Sequence, residues 1–290
     1  MRPLIVFSHG NSFPGGTYRQ VTQGLEVQGY EVAVIDRLGH DPRYPVTSNW
    51  PQLVQQLADF ATHAMQDHTG PVYLVGHSLG GFVSLMCASR FPQLGGRGVS
   101  GVVLLDSPVL GGWKAKALAV AKHTQVVGAL SPGKVSKKRR HQWPDEAAAR
   151  EHFGSKRAFQ LWAPQVLDDY IVHGTEDVAV PDGGTHRALR FDRDVETAIY
   201  NTLPHNLDRQ LRQHPLACPV AFVGGTQSAE MQQVGMTMTR KVVQPEQHPE
   251  CLRMIEGTHL FPMEKPAETT QVVGEVLRAL SSRHAHPAGT

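Results

Sequence analysis

Residues 71–81 read Pro-Val-Tyr-Leu-Val-Gly-His-Ser-Leu-Gly-Gly, an apolar strand running without a break into a G-x-S-x-G turn. Val72 to Val75 carry the β-branched and aromatic side chains of a buried strand. Leu79 to Arg90 (LGGFVSLMCASR) then read as an amphipathic helix. A strand that reverses this sharply into a helix forces its turn residue into a strained backbone conformation. Gly76 and Gly80 lack a Cβ, so strand and helix can approach closely on either side of Ser78. The pattern therefore predicts a serine Oγ raised at the tip of a sheet, at the positive end of a helix, where a developing oxyanion is stabilised.

A chain of 290 residues with 40% hydrophobic and 19% charged residues can bury a sizeable core. Its formal charge of +2 excludes the strongly basic profile of a nucleic-acid partner or an acidic-membrane partner. Cys87, Cys218 and Cys251 are odd in number and without C-x-x-C spacing, so neither a disulfide framework nor a zinc site is expected. Cys87 lies in the helix after Ser78 and reads as a small buried apolar residue. A strand begins at once (Pro3 to Phe7), and no apolar run approaches the ~20 residues that span a bilayer. A cytoplasmic protein is expected, without a membrane span, metal or other cofactor.

Apolar strands alternate with helix patterns, which predicts an α/β fold with a mostly parallel sheet covered by helices on both faces. Strands are expected at Leu4 to Ser8, Glu31 to Asp36, Gly101 to Asp106, Pro219 to Val223 and Arg253 to Glu256, besides the one before Ser78. Helices are expected from Gly16 to Gln28, Trp50 to Gln66 and Ala267 to Leu280. The alternation stops after Pro108. Residues 110–215 show helical stretches, few strand signals and three of the four tryptophans, Trp113, Trp143 and Trp162, with Phe159 among them. They read as a helical cap inserted into a core made of residues 1–109 and 216–290. The basic run Lys134 to Arg140 has no aromatic interleaving and reads as a solvated loop of that insertion.

A serine hydroxyl becomes nucleophilic only when a base takes its proton, and the base needs a third group to fix its tautomer. His259, in Gly257-Thr-His-Leu-Phe-Pro, follows a short strand and precedes a helix, and is the expected base. Leu79 N–H, directly after the serine, is one expected oxyanion donor, and Asn11 N–H, in the loop after the first strand, is the other. His9 is expected to organise that loop through hydrogen bonds. Ser12, Phe13, His77, Trp113 and Trp162 are the expected substrate contacts, His77 in a supporting role.

The His9-Gly10 loop, the elbow at residues 76–80 and the Gly257-x-His259 loop together resemble the capped serine hydrolases of the α/β-hydrolase superfamily. The resemblance covers nearly the whole chain outside the insertion and implies a sheet beginning at that family's third strand. It places Ser78 at the nucleophile position, His259 at the base, and Asn11 and Leu79 at the oxyanion positions. The acid departs from the pattern. Most relatives carry it after the penultimate strand, where this chain reads Gly224-Gly-Thr-Gln-Ser-Ala-Glu230, with no aspartate. Asp106, at the end of the strand after the elbow helix, is the favoured acid and Glu230 the alternative. Asp177 imitates an acid turn but lies within the insertion.

A serine at the elbow implies acyl transfer through an acyl-enzyme, and argues against the aspartate-dependent epoxide and haloalkane chemistries of relatives. The expected activity is hydrolysis of an ester or thioester of a small to medium apolar acyl group, a small-molecule substrate. Hydrolysis of a carbon–carbon bond beside a ketone is the alternative reaction, and a non-catalytic ligand-binding member is the alternative class. Oligomeric state leaves no trace in the pattern.

Overall fold

The computed structural model describes residues 1–111, 133–181 and 183–285. Six of its strands, β1 (Leu4–Ser8), β2 (Glu31–Val34), β3 (Val72–His77), β4 (Gly101–Leu105), β8 (Val220–Gly225) and β9 (Leu252–Ile255), form one sheet. Its order is β2-β1-β3-β4-β8-β9 and every pairing is parallel. The apolar runs of β1, β3, β4 and β8 are buried at every residue, whereas the edge strands β2 and β9 are partly exposed. That contrast is what a sheet covered on both faces imposes on its central strands.

One covering layer pairs α1 (Arg19–Val27) with the C-terminal α13 (Pro266–Ala285); the other pairs α2 (Pro51–Ala64) with α3 (Leu79–Arg90). The helix α3 is not amphipathic as expected: Leu79 to Ser89 are all buried. It lies between the sheet, α2 and α9 (Leu207–Gln213), so it has no solvent face along that length. Register aligns the carboxyl ends of the strands, Ser8 opposite Gly76 and His77 opposite Leu105. The loops after β1, β3 and β4 therefore open on one edge, where parallel sheets bind ligands.

Between β4 and β8 the chain leaves this sheet. Helices α4 (Gly133–Lys138), α5 (Glu146–Gly154), α6 (Arg157–Gln160), α7 (Pro164–Gly174), α8 (Arg193–Asn201) and α9 lie there, in keeping with a helical insertion. They are joined by a three-stranded antiparallel sheet that the sequence reading missed, in the order β5 (Gln142–Trp143), β7 (Thr185–Leu189), β6 (Thr175–Ala179). The strands TEDVA and THRAL are largely polar and β6 is exposed beyond its first residue, so no alternating apolar pattern marks them. The sequence Pro181-Asp-Gly-Gly184 was the legible signal of a hairpin, and Gly183 takes φ +85°. Asp177 lies on β6 and pairs with Arg187 at 3.2 Å, remote from any acid role.

The basic run also differs from the solvated loop expected. Part of it is helical, and although Lys137 and Lys138 are exposed, Arg139 turns inward onto Glu196 at 2.8 Å. Aromatic rings tie the insertion to the core: Phe153, Phe159, Trp162 and Tyr170 stack among themselves, and Phe13 of the β1 loop meets Trp162 and Tyr170 at 5.5 and 5.9 Å. Trp50 adds a second tie, its indole N–H donating to Thr202 Oγ1 beside α8. After β8 the chain forms α10 (Ala229–Val234), α11 (Thr237–Val243) and, beyond β9, α12 (Phe261–Glu264). Among the described residues no helix is long and apolar enough to cross a membrane.

Candidate active site

Ser78 stands between β3 and α3 with φ +52°, the strained conformation that the turn demands of a residue with a side chain. Two contacts leave it no freedom. Its N–H donates to Leu105 O of the neighbouring strand at 2.9 Å, and its carbonyl accepts Phe82 N–H at 3.1 Å, starting the helix. The glycines are needed for close approach: a Cβ on Gly80 would sit 2.1 Å from Ser8 O, and one on Gly76 would sit 2.4 Å from Gly80 C.

Asp106 ends β4 with φ +43° and is fully buried. Its N–H donates to Val223 O at 2.8 Å, fixing the backbone against β8. Its carboxylate accepts from three donors: Gly225 N–H at 2.7 Å on Oδ1, and the Ser228 hydroxyl and His259 Nδ1 on Oδ2, the last at 2.7 Å. A carboxylate only accepts, so Nδ1 of His259 carries the proton. Its Nε2 is then the free base, and it lies 2.9 Å from Ser78 Oγ. Serine, imidazole and carboxylate form one directed chain, with Ser78 and His259 left partly open while Asp106 is sealed beneath them. That geometry can take the serine proton and stabilise the imidazolium that results.

The turn after β8 supplies donors to the Asp106 carboxylate. Glu230 is exposed in the first turn of α10 and is not brought to His259. Ser228, two residues earlier, points its hydroxyl at Asp106 and with the same oxygen accepts Met231 N–H at 3.1 Å, capping α10. The turn thus supplies two donors to a carboxylate that arrives from β4. The loop of His259 is held from its own side too, since Glu264 accepts Thr258 N–H at 3.1 Å and also the Thr258 hydroxyl.

Asn11 and Leu79 are buried, and among the described residues neither backbone N–H has a hydrogen-bond acceptor. Both come from the loops at the carboxyl edge beside Ser78, as an oxyanion site requires. The Asn11 amide donates to Glu196 O of α8 at 3.2 Å, so the insertion reaches down onto this loop. Ser12 has φ +78° and is buried beside Glu196, whose carboxyl burial pushes up to about 7 despite the Arg139 guanidinium alongside. His9 is fully buried, donates from Nδ1 to Gly10 O and accepts Leu38 N–H on Nε2, and burial lowers it to about 4. It organises its loop, as expected.

Of the expected substrate contacts, Phe13 and Trp162 meet at the junction of core and insertion. Trp113 lies outside the described residues. His77 needs correcting: it is fully buried with both ring nitrogens bonded to protein, so it presents nothing to a substrate. Sequence reasoning missed Ser228, Glu264, Tyr18 and the Arg139–Glu196 pair. Ser228 alone left a local signal, a capping serine at the head of Ser-Ala-Glu-Met.

Residues 5–272 match the sequence profile of the Alpha/beta hydrolase family. A monoacylglycerol lipase of Mycolicibacterium smegmatis is 25% identical over 246 residues, 73% of this chain and 84% of the lipase. Among solved structures, a peroxisomal alpha-beta-hydrolase of Saccharomyces cerevisiae superposes with a TM-score of 0.68 at 14% identity, covering all of this chain and 79% of its own. The thioesterase domain from the curacin biosynthetic pathway gives 0.65 at 19% identity, over 94% of this chain and 91% of its own. With its parallel sheet, its elbow and a profile match over nearly its whole length, the chain belongs to the Alpha/beta hydrolase family.

Proposed function

We propose that the protein, an ester hydrolase of the α/β-hydrolase type, cleaves a carboxylic ester of a small to medium apolar acyl group through an acyl-enzyme on Ser78. The observation that carries this reading is the directed chain from Ser78 Oγ through His259 to the buried carboxylate of Asp106. As Oγ bonds to the carbonyl carbon, its proton passes to His259 Nε2 and the carbonyl π electrons move onto oxygen. The N–H groups of Asn11 and Leu79 receive that oxyanion. Its collapse expels the alkoxide, which leaves with the proton from His259, and water then repeats the sequence on the acyl group.

The relatedness to a monoacylglycerol lipase supports an oxygen ester over a thioester. The insertion acts as a cap: α8 touches Asn11, and the Trp162 cluster meets Phe13, so the acyl group lies in an aromatic, water-poor slot. The free cysteines Cys87, Cys218 and Cys251 suit a cytoplasmic setting. The test is a fluorophosphonate titration followed by a series of nitrophenyl esters, monoacylglycerols and acyl thioesters of rising chain length. Stoichiometric labelling that abolishes esterase activity and is absent from Ser78→Ala supports the reading. An unlabelled Ser78, or turnover that survives its loss, refutes it.

A further inference from the structure

The residue just before the nucleophile belongs to a hydrogen-bond chain that joins three separate parts of the site. Gly10 N–H donates to the Tyr18 oxygen at 2.9 Å. Tyr18 Oη lies 2.7 Å from His77 Nδ1, and His77 Nε2 lies 2.9 Å from the backbone carbonyl of His259. A carbonyl carries no proton, so His77 Nε2 must donate to it. In the neutral ring Nδ1 then has a lone pair, and the Tyr18 hydroxyl must donate to it while accepting from Gly10. Every direction along the chain is fixed.

We propose that His77 is a positioning residue, which holds the backbone of His259 in register with the elbow and with the oxyanion loop. The proposal rests on the role of His259 as base of an ester hydrolase. Gly10 precedes the donor Asn11, His77 precedes Ser78, and the chain ends on the base itself, so each end of the reaction centre is tied to the others. Three further observations support it. His77 and Tyr18 are buried almost completely, where an unmade bond is expensive. Burial first, then the neighbouring His259, holds the His77 imidazole well below its ordinary pKa, hence neutral and in one tautomer. The space is filled: a Cβ on Gly10 would sit 2.8 Å from His77 Nδ1 and 3.0 Å from the Tyr18 oxygen. The rings of His77 and His259 also lie 4.9 Å apart, so a shift of one is felt by the other.

A side-chain amide separates positioning from mere filling. In His77→Gln the amide nitrogen reaches the place of Nε2 and still donates to His259 O; in His77→Asn it falls one methylene short. His77→Gln loses only the bond from Tyr18 and should fall by no more than about 10-fold, whereas His77→Asn and His77→Leu should lose about 100-fold, the cost of misplacing a reacting group by ~1 Å. KM should stay within about two-fold, because His77 does not touch the substrate. Equal losses in Gln and Asn, a loss carried by KM, or no loss at all overturns the proposal. Should the leucine variant fail to fold, Tyr18→Phe serves instead, removing one hydroxyl and lowering kcat by about 10-fold; unchanged kcat there overturns the proposal too. Nitrogen NMR of histidine-labelled protein reads the tautomer without any activity. His77 should show Nε2 protonated and Nδ1 bare at neutral pH and through the range where a free imidazole takes up its proton. A His77 protonated on Nδ1, or titrating freely, overturns the proposal. Failure of the hydrolase reading shows separately, as a wild-type Ser78 that fluorophosphonate leaves unmodified.

Discussion

Replacing Asp106 by asparagine changes one atom and should disable the base. The asparagine amide has two ways to lie in the site. With its NH2 toward Gly225, two donors would face each other where the carboxylate now accepts at 2.7 Å, and the backbone N–H cannot turn away. The amide therefore keeps its oxygen toward Gly225 and places NH2 where Oδ2 accepts from Ser228 and His259. The Ser228 hydroxyl can rotate and become an acceptor. The imidazole answers only by changing tautomer: Nδ1 gives up its proton to accept from the amide, and Nε2 becomes protonated. The atom 2.9 Å from Ser78 Oγ then donates instead of accepting, so the serine has no base. A wrong-tautomer histidine of this kind lowers kcat by about 10⁴-fold, or ~5 kcal/mol of transition-state stabilisation. Shape and packing are conserved, so thermal stability and KM should change little. The assay is kcat on a nitrophenyl ester, with the rate of fluorophosphonate labelling as a second reading of serine reactivity. Glu230→Gln, on the exposed turn of α10, is the control and should match the wild type. A loss below about 10-fold in Asp106→Asn, or a larger loss in Glu230→Gln, would refute the assignment.

Ser228→Ala removes both a donor to Asp106 and the cap of α10, so kcat should fall about 10-fold and stability by about 1 kcal/mol in a urea titration; unchanged kcat would show that Gly225 alone holds the carboxylate. His9, lowered in the fold from 6.5 to about 4, leaves the unfolded chain binding more protons between those values. Stability therefore rises with pH across that range, and about 3 kcal/mol is lost as pH falls through it; His9→Asn should flatten the dependence, and an unaltered slope contradicts the account. Glu196, raised from 4.5 to about 7, acts with the opposite sign. Its contribution is present below about pH 4.5 and lost as pH rises to about 7, so Glu196→Gln should gain on the wild type by up to about 3 kcal/mol between pH 4.5 and 8. A difference that does not vary with pH rules this out.

The four central strands of the parallel sheet were legible because strands buried on both faces must be nearly continuously apolar, as LIVFS, VYLVGH, GVVLL and VAFVGG are. Ser78 was legible because it directly follows such a strand, and His259 because a short strand and a Gly turn precede it, so local sequence marks the place of each. The polar hairpin β6–β7 was not, because its pairing comes from Arg187 and its neighbours rather than from an apolar face. The same limit hid the clasp between Arg139 and Glu196, 57 residues apart, and the chain from Tyr18 to His77, 59 residues apart. Partners of that kind are chosen by the fold and leave no spacing to read.

The acid lies between these two cases. Its carboxylate must reach His259 Nδ1 from beneath, and both β4 and β8 end beside that point, since Leu105 pairs with Val223. Either strand end can therefore deliver it, and the end that does not must still satisfy the buried oxygens. Here β4 delivers the carboxylate on a residue at φ +43°, and β8 delivers Gly225 N–H and the Ser228 hydroxyl. Ser228 thus stands where the family resemblance implies an acid, and it is a donor to the carboxylate that β4 carries. It follows that moving the acid back should be tolerated in one combination only. Ser228→Asp alone would set two buried carboxylates against each other and should lower activity, while Ser228→Asp with Asp106→Ser restores one carboxylate and one hydroxyl. If the double variant recovers at least about 10-fold of the kcat that Asp106→Ser loses, the two strand ends are interchangeable carriers of the acid; no recovery would mean that the strained backbone at residue 106, and not the carboxylate alone, sets the geometry of the base.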